Sequence, residues 1–242
     1  MTPTAPPTSP SSLTTPGRRG LLALGLAALG TAAVPAVAAP AVAVPAPRRA
    51  AGPLDPTAAL AELRAGNARY AALRQQYPHQ DAARRAAVAV SQQPFATVIG
   101  CIDSRVPPEL VFDQGLGDLI GVRSAGQALD EAVLGSVQFA LEELHVRLIV
   151  VLGHERCGAA AAAVEHVRTG HPVEGHIERV VEELAPAARA TRHLPGDWVE
   201  NTVRANVDRI TRRLARDKAF AEARIVGARF DLDTGKVAFH QV

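Results

Sequence analysis

Aromatic side chains are scarce in this chain: they make up 4% of its 242 residues, with one tryptophan and two tyrosines. That rules out a core built on large rings, so burial must rest on aliphatic packing and alanine-rich helices. The apolar share of 48% is ample for one sizeable core. Only two cysteines are present, Cys101 and Cys157, which excludes a small scaffold stapled by many disulfides. No acid occurs before Asp55, whereas Arg18, Arg19, Arg48 and Arg49 all precede it. Setting those four arginines aside leaves 22 basic against 24 acidic side chains, a balance that offers no basic face to nucleic acid. No internal repeat, second domain or P-loop pattern is visible.

The first residues read as an address. Arg18-Arg19 stands before the apolar run Leu21 to Val34, which leads into small-residue Ala/Pro/Val repeats. A charged start, a short apolar segment and A-x-A sites describe an export signal. The run is about 14 residues, short of the ~20 that span a bilayer, so no stable membrane span is expected after processing. The paired arginines resemble a twin-arginine signal, with an ordinary Sec signal or a lipid-free membrane anchor as the alternative. The expected organisation is a signal with its cleavage region over 1–43, a Pro/Ala linker over 44–54 and one domain over 55–242. The mature protein is expected to be exported, secreted or in the cell envelope.

From Leu54 onward helical and strand patterns alternate. Asp55-Pro56 opens a helix with Leu60, Leu63 and Tyr70 on one face, capped by Asp55. Short apolar runs at Phe95 to Gly100, Leu119 to Val122 and Arg147 to Leu152 read as buried strands. Helices are expected over Asp130 to Leu144, Cys157 to Arg168, Glu174 to Ala190 and Asp197 to Asp217. A hairpin at Ala223 to His240 closes the chain. Continuous apolar strands between helices point to an α/β fold, a mostly parallel central sheet flanked by helices.

The two cysteines share a context. Cys101 follows the run V-I-G, and His154 and Cys157 follow I-V-V-L-G. In an open parallel sheet the carboxyl ends of neighbouring strands form the ligand crevice, so the three side chains would converge there. Two thiolates and an imidazole leave one tetrahedral position open, as in a catalytic zinc site. A disulfide, or two unrelated thiols, remains the alternative from spacing alone.

Cys101-Ile102-Asp103-Ser104-Arg105, followed by Gly153-His154-Glu155-Arg156-Cys157-Gly158, is similar to the C-x-D-S-R and H-x-x-C-G pair of beta-class carbonic anhydrases. The run Val106 to Leu119 and the segment Val122-Arg123-Ser124-Ala125-Gly126-Gln127 also resemble that family, from about Leu60 to the C-terminus. The resemblance implies reversible hydration of carbon dioxide to bicarbonate and a proton by zinc-bound hydroxide, with one Zn2+ per chain. Cys101, His154 and Cys157 would be the ligands. Asp103 would be both a catalytic acceptor and, in a closed form, a fourth ligand, and Arg105 would hold it. Val106 and Arg123 align with positions of a regulatory bicarbonate pocket in some members.

The chain departs from the family pattern at Gly115, where plant-type members place a substrate-binding glutamine, and at Ser124 and Gln127, where asparagines are usual. The resemblance also implies a homodimer or homotetramer, with arms near Ala58 to Gln76. Related enzymes acting on carbon disulfide or carbonyl sulfide, and a non-catalytic exported zinc or bicarbonate binder, are the competing readings.

Overall fold

The structure is a computed structural model that describes residues 54–240; the expected export signal and nearly all of the linker lie outside them. Helix α1 (Pro56–Ala71) starts as its sequence dictates. Asp55 accepts hydrogen bonds from the Thr57 and Ala58 N–H groups at 2.8 and 3.3 Å, and Pro56 fills the first helical position, where no N–H is needed. Two short helices, α2 (Ala82–Val88) and α3 (Pro108–Val111), precede and follow β1 (Ala96–Cys101). Neither was expected, for different reasons. Helix α2 buries no residue, so its sequence carries no apolar stripe, and α3 is a single turn.

The rest follows the expected order: β2 (Leu119–Ser124), α4 (Glu131–Glu142), β3 (Leu148–His154), α5 (Gly158–Thr169), α6 (Ile177–Thr191), α7 (Trp198–Arg216), β4 (Arg224–Phe230) and β5 (Val237–His240). The strands form one sheet in the order β2-β1-β3-β4-β5. The first four are parallel and β5 is antiparallel to β4, so the terminal segment is the expected hairpin. Among the described residues no helix is long and apolar enough to cross a membrane.

Strand β3 is buried throughout and feeds both faces of the sheet. Leu148, Val150 and Leu152 pack with Leu60 and Leu63 of α1, Val98 and Phe230 on one side. Ile149 and Val151 pack with Val137 and Leu141 of α4 and Val207, Ile210 and Leu214 of α7 on the other. The period of two explains why the run is apolar without alternation: each face needs its own set.

The chain leaves β1 toward β2 on one side, then returns across β1 to lay β3 on the other. The strand order therefore reverses between β1 and β3, and the crevice at their carboxyl ends is where an open parallel sheet binds ligands. Cys101 is the last residue of β1 and His154 the last of β3. A third apolar cluster, from α5, α6 and α7, packs around Cys101 and Cys157 there.

Candidate metal centre

Cys101, His154 and Cys157 come together. One ligand atom from each lies within 4.8 Å of the other two, and all three residues are buried. Both cysteines are free, so the disulfide alternative is not what the structure holds. The turn between the last two ligands is tight: Arg156 sits in the left-handed region at φ 52°. That conformation costs a non-glycine residue about 1–3 kcal/mol, and here it turns the chain so that Cys157 begins α5 facing His154.

His154 is fixed by its own neighbour. Its Nδ1 lies 2.9 Å from the Glu155 carbonyl and can only donate to it, which leaves the Nε2 lone pair for something else. Nε2 is buried without a hydrogen-bond partner. A buried nitrogen with a free lone pair beside two sulfurs fits a cation better than any other occupant.

The thiols argue the same way. Cys101 is drawn well down, chiefly by the hydrogen bond with Cys157. The Gly126 and Asp103 N–H groups help, against the cost of burial. Cys157 is pushed far up, first by its contact with Cys101, then by burial, although the Ala159 and Ala160 N–H groups at the helix start pull it down. The pull of the helix-start N–H groups on Cys157 is outweighed by the neighbouring sulfur. By themselves the two sulfurs share a proton, one thiolate beside one thiol, and both would ionise only with a cation between them. Two sulfurs and an imidazole are the donor set of a four-coordinate zinc site with one open position.

Asp103 and Arg105 form the expected dyad. Arg105 donates from Nε to Oδ1 at 2.9 Å and from Nη2 to Oδ2 at 2.7 Å, and its backbone N–H adds 2.9 Å to Oδ1. This grip, led by the side-chain hydrogen bonds, holds the Asp103 carboxyl well below the usual carboxylate range. Asp103 Oδ2 lies 3.9 Å from His154 Nε2, beside the ligand group, with both oxygens engaged by Arg105.

Sequence reasoning did not foresee the work of Arg123. It donates from Nε to the Cys101 carbonyl at 2.7 Å and from Nη2 to the Asp103 carbonyl at 2.6 Å, clamping the segment that carries both residues. Ser124 closes its own loop by donating to the Ala128 carbonyl at 2.7 Å. Gln127 is buried, and its Nε2 has no hydrogen-bond partner. Gln114 is spent elsewhere, donating to Glu62 at 3.2 Å and to the Phe112 carbonyl at 3.0 Å. No side chain fits at Gly115, where a Cβ would lie 2.0 Å from the Pro78 carbonyl. Three of the outlying histidines serve local contacts: His79 pairs with Asp118, His166 with the His171 carbonyl and His240 with Asp208.

Comparison with known proteins agrees with this geometry. The sequence profile of the carbonic anhydrase family matches residues 96–237. Carbonic anhydrase 2 of Mycobacterium tuberculosis is 41% identical over 189 residues, covering 75% of this chain and 91% of that protein. The carbonic anhydrase of Mycolicibacterium smegmatis is 39% identical over 191 residues, covering 76% and 92%. Among solved structures, one of the tetrameric beta-carbonic anhydrases of Sordaria macrospora superposes with a TM-score of 0.60 at 21% identity, over 65% of this chain and 86% of that one. The Coccomyxa beta-carbonic anhydrase, solved with acetazolamide, gives 0.57 at 22% identity, over 76% and 85%. At those identities the structures speak for the fold alone.

Proposed function

This chain belongs to the beta-class carbonic anhydrases, and from that premise we propose that it catalyses the reversible hydration of carbon dioxide to bicarbonate and a proton at a zinc ion held by Cys101, His154 and Cys157. The observation that carries the reading is the convergence of these three buried donors, one with an orphaned lone pair, beside an arginine-gripped carboxylate.

Zinc in such a site supplies a water acidic enough to serve as nucleophile near neutral pH. The chain's own residues do the rest. Asp103 is an acceptor that stays ionised, and its position beside His154 Nε2 suits it to take a hydrogen bond from the reacting water and aim the free lone pair at carbon. Arg105 keeps Asp103 from rotating and from being protonated. Arg123 holds the backbone of Cys101 and Asp103 in register, so donor and acceptor keep their spacing. His154 keeps the tautomer that presents Nε2 because Glu155 occupies Nδ1.

The working form is a homodimer or homotetramer. In support, Ile102 stands 61% exposed immediately after a metal ligand, an apolar side chain that a second copy would cover. The tetrameric state of the Sordaria enzymes points the same way. Export by the twin-arginine route rests on the Arg18-Arg19 segment alone.

The reading is tested by metal analysis together with stopped-flow hydration of carbon dioxide on purified protein. One zinc per chain and rapid turnover are expected, both lost in Cys101→Ser and Cys157→Ser. Full zinc retention in either variant would refute the ligand set.

A further inference from the structure

Asn206 lies on α7, 80 positions from Gly126 in the chain, yet its side chain reaches that residue in the interior. It is 1% exposed, and its Nδ2 donates to the Gly126 carbonyl at 3.0 Å. The amide orientation is settled from the other side. Arg209 donates to Asn206 Oδ1 from Nε at 3.3 Å and from Nη2 at 3.1 Å, and only the oxygen can accept. Arg209 is itself tied to α6 through the Glu183 carbonyl. A chain of hydrogen bonds, half-buried at Arg209 and buried at Asn206, thus runs from α6 to Gly126.

Gly126 is the residue whose N–H donates to the Cys101 sulfur, at 3.3 Å. Its conformation is special: φ is +59°, and a Cβ would lie 2.7 Å from the Leu184 side chain and 2.9 Å from Ala159. Gln127 follows at φ 58°, so two successive left-handed residues form the turn that carries this N–H. Gly126 adopts its conformation freely and Gln127 only at a cost, and the external hold on the Gly126 carbonyl comes from Asn206.

We propose that Asn206 is a positioning residue for the Cys101 thiolate, acting through Gly126 to keep a backbone N–H on the ligand sulfur. An N–H aimed at a thiolate draws charge from the sulfur and fixes its direction, which sets how strongly it donates to a metal ion. The inference rests on the zinc reading of the preceding section and extends it to a helix that supplies no ligand.

The test uses the full chain carrying Asn206→Asp, which keeps the shape and removes the Nδ2 donor, with Arg209→Met as a second, less buried change that frees the amide to rotate. Zinc affinity is read by competition with a chromogenic chelator. The sulfur field is read from the thiolate-to-cobalt charge-transfer band of the cobalt-substituted protein. Asn206→Asp is expected to weaken zinc binding about 10- to 100-fold and to move the band, with Arg209→Met shifting both in the same direction by less. Ile210→Val, a buried change on the same helix, should lower the thermal midpoint and leave the band in place. Wild-type affinity and an unmoved band in Arg209→Met and in Asn206→Asp would overturn the proposal, and Arg209→Met alone decides it where Asn206→Asp does not fold. A wild-type chain that takes up no zinc would overturn the metal reading itself.

Discussion

The guanidinium of Arg105 meets the carboxylate of Asp103 as a fork, Nε on Oδ1 at 2.9 Å and Nη2 on Oδ2 at 2.7 Å. Lysine carries the charge but not the two parallel donors. Arg105→Lys is therefore expected to retain zinc and to lose turnover by about tenfold or more, since the acceptor is no longer held. Asp103→Asn removes the acceptor itself and should cost about 100-fold or more in kcat with zinc unchanged. Stopped-flow hydration with metal analysis of the same samples separates the two effects, and an undiminished rate in Asp103→Asn would remove that residue from the mechanism.

The pH dependence of that pair has a definite sign. The Arg105 hydrogen bonds lower the folded pKa of Asp103 below its unfolded value of about 3.9. Its contribution to stability is then fully present above that unfolded value and is lost as pH falls through the lower, folded one. Between about pH 6 and 8 the carboxylate stays ionised, so any midpoint in the turnover profile over that range belongs to another group. Asp103→Asn should retain the midpoint on a lower curve. A variant whose profile becomes flat would show that Asp103 titrates there after all.

Gly126→Ala is expected to destabilise the fold. The substitution sets a side chain at φ +59° against Leu184 and Ala159, a combination worth about 2 kcal/mol, or a drop of about 4–8 °C in thermal midpoint for a domain of this size. Thermal unfolding monitored by circular dichroism reads it directly. An unchanged midpoint would mean that α6 gives way freely, and would weaken the account of this turn as a fixed element.

Export is tested by Arg18→Lys combined with Arg19→Lys. If the twin-arginine route is used, the double variant should accumulate inside cells while the parent protein leaves them. Equal amounts of both outside, measured by immunoblot of the fractions, would favour the Sec route.

Much of this molecule was legible in the chain itself, and the limits have physical causes. Leu148 to Leu152 announces a buried strand because both faces of the sheet need apolar groups. Cys101, His154 and Cys157 were placed together by the rule that ligands gather at strand carboxyl ends, and Asp103 with Arg105 by their nearness in sequence. Arg123 and Asn206 were not assigned these contacts, because their partners come from other strands and helices. Arg123 reaches Cys101 only once β2 lies beside β1, and Asn206 reaches Gly126 only once α7 covers the sheet. Helix α2 escaped notice because it contributes nothing to the interior. The fate of Gln114, bonded to Glu62, likewise depends on how α1 docks.

The reversal of strand order between β1 and β3 has a consequence for when the proposed ion could bind. A growing polypeptide that has not yet emerged past β3 presents Cys101 alone of the three donors that the site brings together. Capture awaits the pairing of two strands formed far apart in synthesis, with α5 beginning at the third donor. An ion held by all three donors would therefore report that the centre of the sheet, β1 against β3, is already in place.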